Sequence, residues 1–150
     1  MQTTIRPAVI GAAVVRAQAE LITHKDLSAA MATCSANGYH VSVTVLGRNP
    51  EVIVRLRGDG ASPHTFEYSF RKAYTSRTFR IPSGEIAKRF EDDPSYFAIH
   101  VNNVIPVQGA LPIKVGVDVV GAVGVSGSPG GEKDAVCAQA GIDKVADELK

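Results

Sequence analysis

The chain is 150 residues long, one domain's worth, and folding can bury roughly two-thirds of the unfolded surface without staples. Sixteen Lys and Arg stand against 15 Asp and Glu, a formal +1, which excludes the basic face that a nucleic acid needs and an acidic disordered tail. There is no Trp, and only five Phe and four Tyr, so the core must come from Val, Ile, Leu and Ala.

From about Pro7 to Ala36 the pattern predicts a helix, with Leu27, Ala30, Met31 and Cys34 on one apolar face. The longest apolar run before it, Ala8 to Val15, ends at Arg16, short of the roughly 20 residues that span a bilayer, so no membrane insertion is expected. No basic segment precedes a long apolar stretch as in a complete secretory signal. If residues 2–150 are a mature chain, a periplasmic or exported location is expected, and otherwise a cytoplasmic one. Asn37-Gly38 stops the helix, because both residues tolerate positive φ.

The period then changes to two. Tyr39, Val41, Val43 and Val45 alternate with His40, Ser42, Thr44 and Leu46, which predicts a half-buried strand. Gly47-Arg48-Asn49-Pro50 turns into a second strand of Val52, Val54 and Leu56 alternating with Ile53, Arg55 and Arg57. The short turn makes the pair an antiparallel hairpin, ended by Gly58-Asp59-Gly60.

Ser62-Pro63 opens a second helix, with Ser as N-cap and Pro in the first turn. Phe66, Phe70, Ala73, Tyr74 and Arg77 recur on one stripe, which is expected to pack on the sheet. Pro82-Ser83 opens a third helix to about Phe90, and a turn with a single helical turn follows Asp92-Asp93-Pro94-Ser95. Three short strands are then predicted, Val104 to Val107, Ala110 to Val115 and Asp118 to Val125. The last is nearly all apolar, as in a central strand buried on both faces, and Gly121 and Gly124 mark close approach of a backbone or a ligand. A glycine-rich loop leads to a helix from about Glu132 to Leu149 with Ala135, Ala138, Ile142, Val145 and Leu149 as its stripe. The order predicts an α+β fold with a mostly antiparallel five-stranded sheet.

Motifs for catalysis are sparse. Gly124-Val125-Ser126-Gly127-Ser128 resembles a nucleophile elbow without the final Gly, and no GxGxxG, P-loop or HExxH occurs. The histidines, His24, His40, His64 and His100, form no close pair, and Cys34 and Cys137 match no zinc spacing. Two buried thiols and one disulfide are equally consistent with the cysteines. The loop from Gly124 to Gly131 feeds a helix N-terminus, where free N–H groups suit a carboxylate. Lys72 lies beside the sheet-facing side of the second helix and needs an anion, from the protein or from a ligand. His64 sits in the first turn of that helix, where a neutral imidazole could bind iron or move a proton.

Arg71-Lys72-Ala73, Gly109-Ala110-Leu111-Pro112-Ile113 and Gly121-Ala122-Val123-Gly124-Val125-Ser126-Gly127, followed by Asp134-Ala135-Val136-Cys137-Ala138, resemble the GlcG/HbpS-like haem-binding family. The C-terminal domain of PduO-type proteins is similar. The match runs over essentially the whole chain. It departs at Gln108-Gly109-Ala110, where members usually carry Pro-Gly-Gly, and at Gly47-Arg48-Asn49-Pro50, where many carry Asp-x-Gly-Gly.

The resemblance implies a profilin-like or PAS-like domain with the first and last helices packed on the sheet. Those helices would be neighbours, bringing Cys34 near Cys137. It also implies a homo-oligomer, dimer or higher, that binds haem non-covalently for sensing, storage or transport. His64 is the first candidate for the iron ligand and His100 the second. Lys72, Gln108, Gly109, Gly127, Gly130 and Gly131 are candidates for the rest of the site, in one pocket between the second helix, the 108–110 loop and the glycine loop. The alternative is an enzyme of isomerase or tautomerase type, or a binding protein for an organic acid, using the same pocket with His64 or Lys72 as acid/base.

Overall fold

The computed structural model describes residues 25–98 and 101–149. Within them the chain is α+β. Helix α1 occupies 25–36, and the rest of the first predicted helix lies outside the described residues. There follow β1 (Ser42–Leu46), β2 (Val52–Arg57), α2 (Pro63–Phe79), α3 (Ser83–Asp92), a 3-10 turn (Pro94–Ala98), β3 (Ala110–Val115), β4 (Asp118–Ser126), α4 (Gly131–Val145) and a closing 3-10 turn (Ala146–Leu149). The end of α1 is a Schellman cap: Tyr39 N–H donates to the Cys34 carbonyl at 3.0 Å and Gly38 N–H to that of Ser35 at 2.9 Å.

The described sheet has four antiparallel strands in the order β2-β1-β4-β3, not five. The missing one is 104–107. Its backbone groups are met by α2 rather than by a neighbouring strand. Ile105 N–H donates to Thr75 Oγ1 at 2.8 Å, and Arg71 Nη2 donates to the Val104 carbonyl at 3.1 Å. Pro106 has no N–H for a ladder, and Val107 N–H folds back on the Ile105 carbonyl at 2.9 Å.

Helices cover both faces. On one, Val43 and Val45 of β1 and Val123 and Val125 of β4 join Leu27, Ala30 and Cys34 of α1 and Cys137, Ala138 and Val145 of α4 in the main core. On the other lies α2. So β1 is buried along its whole length, not half-buried. Its polar residues are satisfied across the layer, Ser42 Oγ to Thr65 Oγ1 and Thr44 Oγ to Ser69 Oγ, each at 2.8 Å.

The predicted stripe of α2 holds in part: Ala73 is buried, and Phe70 and Tyr74 pack against Leu46 and Ala122 of the sheet. The fully buried residues of α2 are nevertheless small or polar, Thr65, Ser69, Lys72, Ala73, Thr75 and Ser76, while Phe70 and Tyr74 are half-buried and Phe66 is exposed. Small side chains win here because the helix runs almost in contact with β4. A Cβ on Gly124 would lie 2.2 Å from the Ser69 carbonyl oxygen and 2.7 Å from Ala73 N. Gly124→Ala is therefore expected to cost roughly 1–3 kcal/mol of stability by overpacking, read as a lower urea midpoint at constant slope.

Of the predicted stripe of α4, Ala138, Val145 and Leu149 are buried and Ile142 packs half-buried on the core, while Asp134, Cys137 and Gly141 are buried beside them and Ala135 is half-buried. Cys34 and Cys137 are bonded, with their Cα atoms 5.6 Å apart, which ties α1 to α4.

Candidate functional site

Three chain segments meet at the end of the sheet where β1 begins and β4 ends. Gly127 follows β4 and leads through Ser128 and Pro129 into α4, which starts at Gly131. Opposite stands the first turn of α2, with Ser62, His64 and Thr65. Tyr39 and His40, just before β1, form the third wall with Gly60. Between them is a pocket of about 490 Å³, whose floor includes Lys72, Ser126 and Asp134.

The floor is an ion pair. Lys72 Nζ lies 2.8 Å from Asp134 Oδ2 and donates to the Val125 carbonyl at 3.2 Å. Both side chains are only 3% exposed, so each charge depends on the other for its stability. The anion that Lys72 requires is thus supplied by the protein. Asp134 Oδ1 accepts from Ser128 N–H at 2.9 Å, so one N–H of the glycine loop is also taken by this carboxylate. The Ser128 hydroxyl lies 3.4 Å from Cys34 Sγ, which places the disulfide directly behind the loop.

Val107 lines the pocket, while Gln108 and Gly109 stand behind it. Gly109 packs on the ion pair: a Cβ there would lie 2.8 Å from Lys72 Nζ. Exposed Gln108 sits between Gly84 and Gly131 and buttresses the start of α4. Gly127 and Gly131 are in the wall. Gly130 is the N-cap of α4, and its carbonyl accepts from Lys133 N–H and Asp134 N–H at 3.1 and 3.2 Å. Ser126, the residue of the elbow-like run, stays in β4 and is buried. His64 is exposed at the rim, its ring edge-on to Tyr68 with centroids 5.4 Å apart. His24 and His100 lie outside the described residues.

The family model described as "Haem degrading protein HbpS-like" matches residues 19–143. The chain belongs to the HbpS-like family. A double mutant of HbpS from Streptomyces reticuli is 31% identical, with a TM-score of 0.77 over 95% of this chain and 88% of that one. Two less similar structures share the fold. ORFY of Klebsiella pneumoniae is 22% identical, with a TM-score of 0.79 over 85% of this chain and 89% of its own. PduOC, solved as a complex with heme, is 19% identical, with a TM-score of 0.74 over 82% and 91%. An uncharacterized 15.0 kDa protein of Citrobacter freundii, from the dhaT-dhaS intergenic region, is 28% identical over 106 residues, 69% of this chain and 74% of that protein.

In this HbpS-like chain the sequence pattern points to two of the pocket's walls and passes over the third. His40 reads as an outward position of an alternating strand, and Gly58-Asp59-Gly60 as no more than a hairpin's end. The signal available is that a short turn follows β2, returning the chain beside the residue that precedes β1. Asp134 stands in the first turn of α4, and its place opposite Lys72 requires the packing of α2 across β4.

Proposed function

We propose that this protein binds haem non-covalently in the pocket between the glycine loop, the start of α2 and Tyr39-His40. The observation that carries the reading is the pocket's make-up. Haem asks for apolar walls, an axial ligand and donors for its propionates. Tyr39, Val107 and Pro129 supply apolar surface, and His40 and His64 supply imidazoles. For the propionates there are the Ser62 hydroxyl, which makes no capping bond, and the N–H groups of Gly131 and Glu132, for which α4 offers no carbonyl. Bound there, haem would supply iron chemistry; the chain's own residues bind and orient it. Membership of the HbpS-like family and the likeness to PduOC, solved with heme, support the reading.

Lys72 belongs to this site as its floor, engaged with Asp134. That weakens the organic-acid reading, which needs Lys72 as an acid/base or as a free cation. Haemin added stepwise to the purified protein should give a saturable Soret shift at stoichiometric concentration. A featureless titration would overturn haem binding.

Two further properties belong to this proposal. An oxidising compartment, the periplasm or outside the cell, suits a chain that holds a buried disulfide. A homo-oligomer, at least a dimer, would cover β2, an edge strand of the described sheet that exposes Val52 and Leu56. Light scattering should then give at least twice the chain mass at micromolar concentration; the mass of a single chain would refute assembly.

A further inference from the structure

We propose that His40 is the residue through which the pocket holds the haem iron, an assignment that rests on the haem reading above. An imidazole that ligates a metal through one nitrogen has the other pinned by a hydrogen bond, most often to a carbonyl or carboxylate. His40 meets that condition. Its Nδ1 lies 2.9 Å from the Asp59 carbonyl oxygen. A carbonyl only accepts, so Nδ1 carries the proton and donates it, and in the neutral ring Nε2 keeps its lone pair.

The local sequence builds this arrangement. Ala61 N–H donates to the Gly58 carbonyl at 3.1 Å, closing a β-turn with Gly60 in its third position at φ +80°. A positive φ at that position marks a turn whose central peptide is flipped relative to the commonest type. That peptide is the one whose oxygen is Asp59's, and it is the oxygen that meets His40. Gly60 also gives the ring a floor. A Cβ there would lie 3.1 Å from Nδ1 and 3.2 Å from Cγ of His40, so the imidazole rests on bare backbone. Two contacts from one turn therefore set the ring, and both involve its Nδ1 side. Nε2 is left for the pocket, which His40 lines and where the ring is exposed.

His64 lacks such an arrangement. Among the described residues its ring meets Tyr68 edge-on, and no hydrogen bond fixes either nitrogen. Lys72 and Asp134 are committed to each other. Tyr39 lies with Lys133 Nζ 5.6 Å from its ring centroid, a contact with the ring face that leaves the phenol unplaced.

The test is ferric haemin binding by wild type, His40→Ala and His64→Ala, with thermal melts alongside. His40 is exposed, so its replacement should leave the melt within a few degrees, and His40→Gln serves as the second variant. His40→Ala and His40→Gln should each weaken haemin binding at least tenfold and lose the visible and EPR signature of axial imidazole. Millimolar imidazole should restore that signature in His40→Ala. His64→Ala should weaken binding less and keep the imidazole-ligand spectrum. In the ligand-free protein, ¹⁵N shifts should show the Nδ1–H tautomer at His40. The assignment alone is overturned if wild type binds haemin and His40→Ala keeps the axial-imidazole spectrum, or if the tautomer is Nε2–H. No Soret shift in wild type overturns the haem reading and this assignment with it.

Discussion

Replacing Cys34 and Cys137 together by alanine should lower the unfolding free energy by up to about 5 kcal/mol, the size of loop-closure entropy expected for so long a loop. The bond joins residues 103 apart in sequence, so it closes most of the described chain into one loop. It also joins two helices on the same sheet face, α1 and α4, whose apolar residues share one core. Both sulfurs belong to buried residues, and alanine at each position leaves only a small void. The loss should appear as a drop of about 10 °C in Tm for a domain of this length. A dithiol reductant should produce the same drop in wild type and none in the double variant. If the reduced and oxidised proteins melt together, α1 is held by packing alone and the bond adds nothing. Ser128 makes a further readout possible, because its hydroxyl touches Cys34 Sγ while its backbone lines the pocket. Loosening α1 from α4 should therefore also raise hydrogen exchange in the glycine loop.

Local rules served well wherever the chain's own neighbours decide the structure. The Asn37-Gly38 stop, the hairpin of β1 and β2, the Ser62-Pro63 start of α2 and the extent of β3 all follow from turn chemistry and period. The burial of β4 between two partners was legible too, because an apolar run on both faces has one comfortable place in a sheet. Apolar stripes point inward on α1, where Leu27, Ala30 and Cys34 are buried, and for part of α4, but only partly on α2. Where α2 passes Gly124 its inner residues are Ser69 and Ala73, because a larger side chain has no room there, and hydroxyl pairs from β1 satisfy Thr65 and Ser69, while Phe70 and Tyr74 pack on Leu46 and Ala122 at the side of that contact. The 104–107 segment looks like a strand because it is valine-rich, yet its hydrogen bonds go to Thr75 and Arg71. The candidate site divides in the same way. Its glycine loop and the first turn of α2 can be read from sequence, since both are helix starts. The ion pair and the His40 wall cannot, since each joins residues far apart in the chain or across a turn whose shape depends on Gly60.

Stability should fall as the pH rises from about 5 to 8, and Asp26→Asn should remove most of that fall. Asp26 is fully buried in α1, and neither carboxylate oxygen has a hydrogen-bond partner among the described residues. Burial, with a smaller contribution from the nearby charge of Glu148, raises its pKa from 3.8 to about 8. Glu148 itself pairs with Lys25 at 2.5 Å, a partly exposed contact, and no cation among the described residues pairs with Asp26. The sign follows from proton counting. Between the unfolded value and the folded one, the native carboxyl holds a proton that the unfolded chain has released. Stability therefore declines with pH across that window, and it levels off once the folded carboxyl ionises too. A gap of about four pH units corresponds to about 6 kcal/mol at most, since each unit is worth about 1.4 kcal/mol. An amide at this position keeps the shape and has no ionisation to suppress. Urea unfolding of wild type and Asp26→Asn at pH 5 and pH 8 should show the variant's relative stability growing by about 3–4 kcal/mol over that interval. Lys25→Ala should not reproduce this change, because its partner Glu148 would then repel Asp26 more strongly, not less. A difference between wild type and Asp26→Asn that stays constant from pH 5 to pH 8 would mean that the buried carboxyl ionises as readily in the fold as outside it.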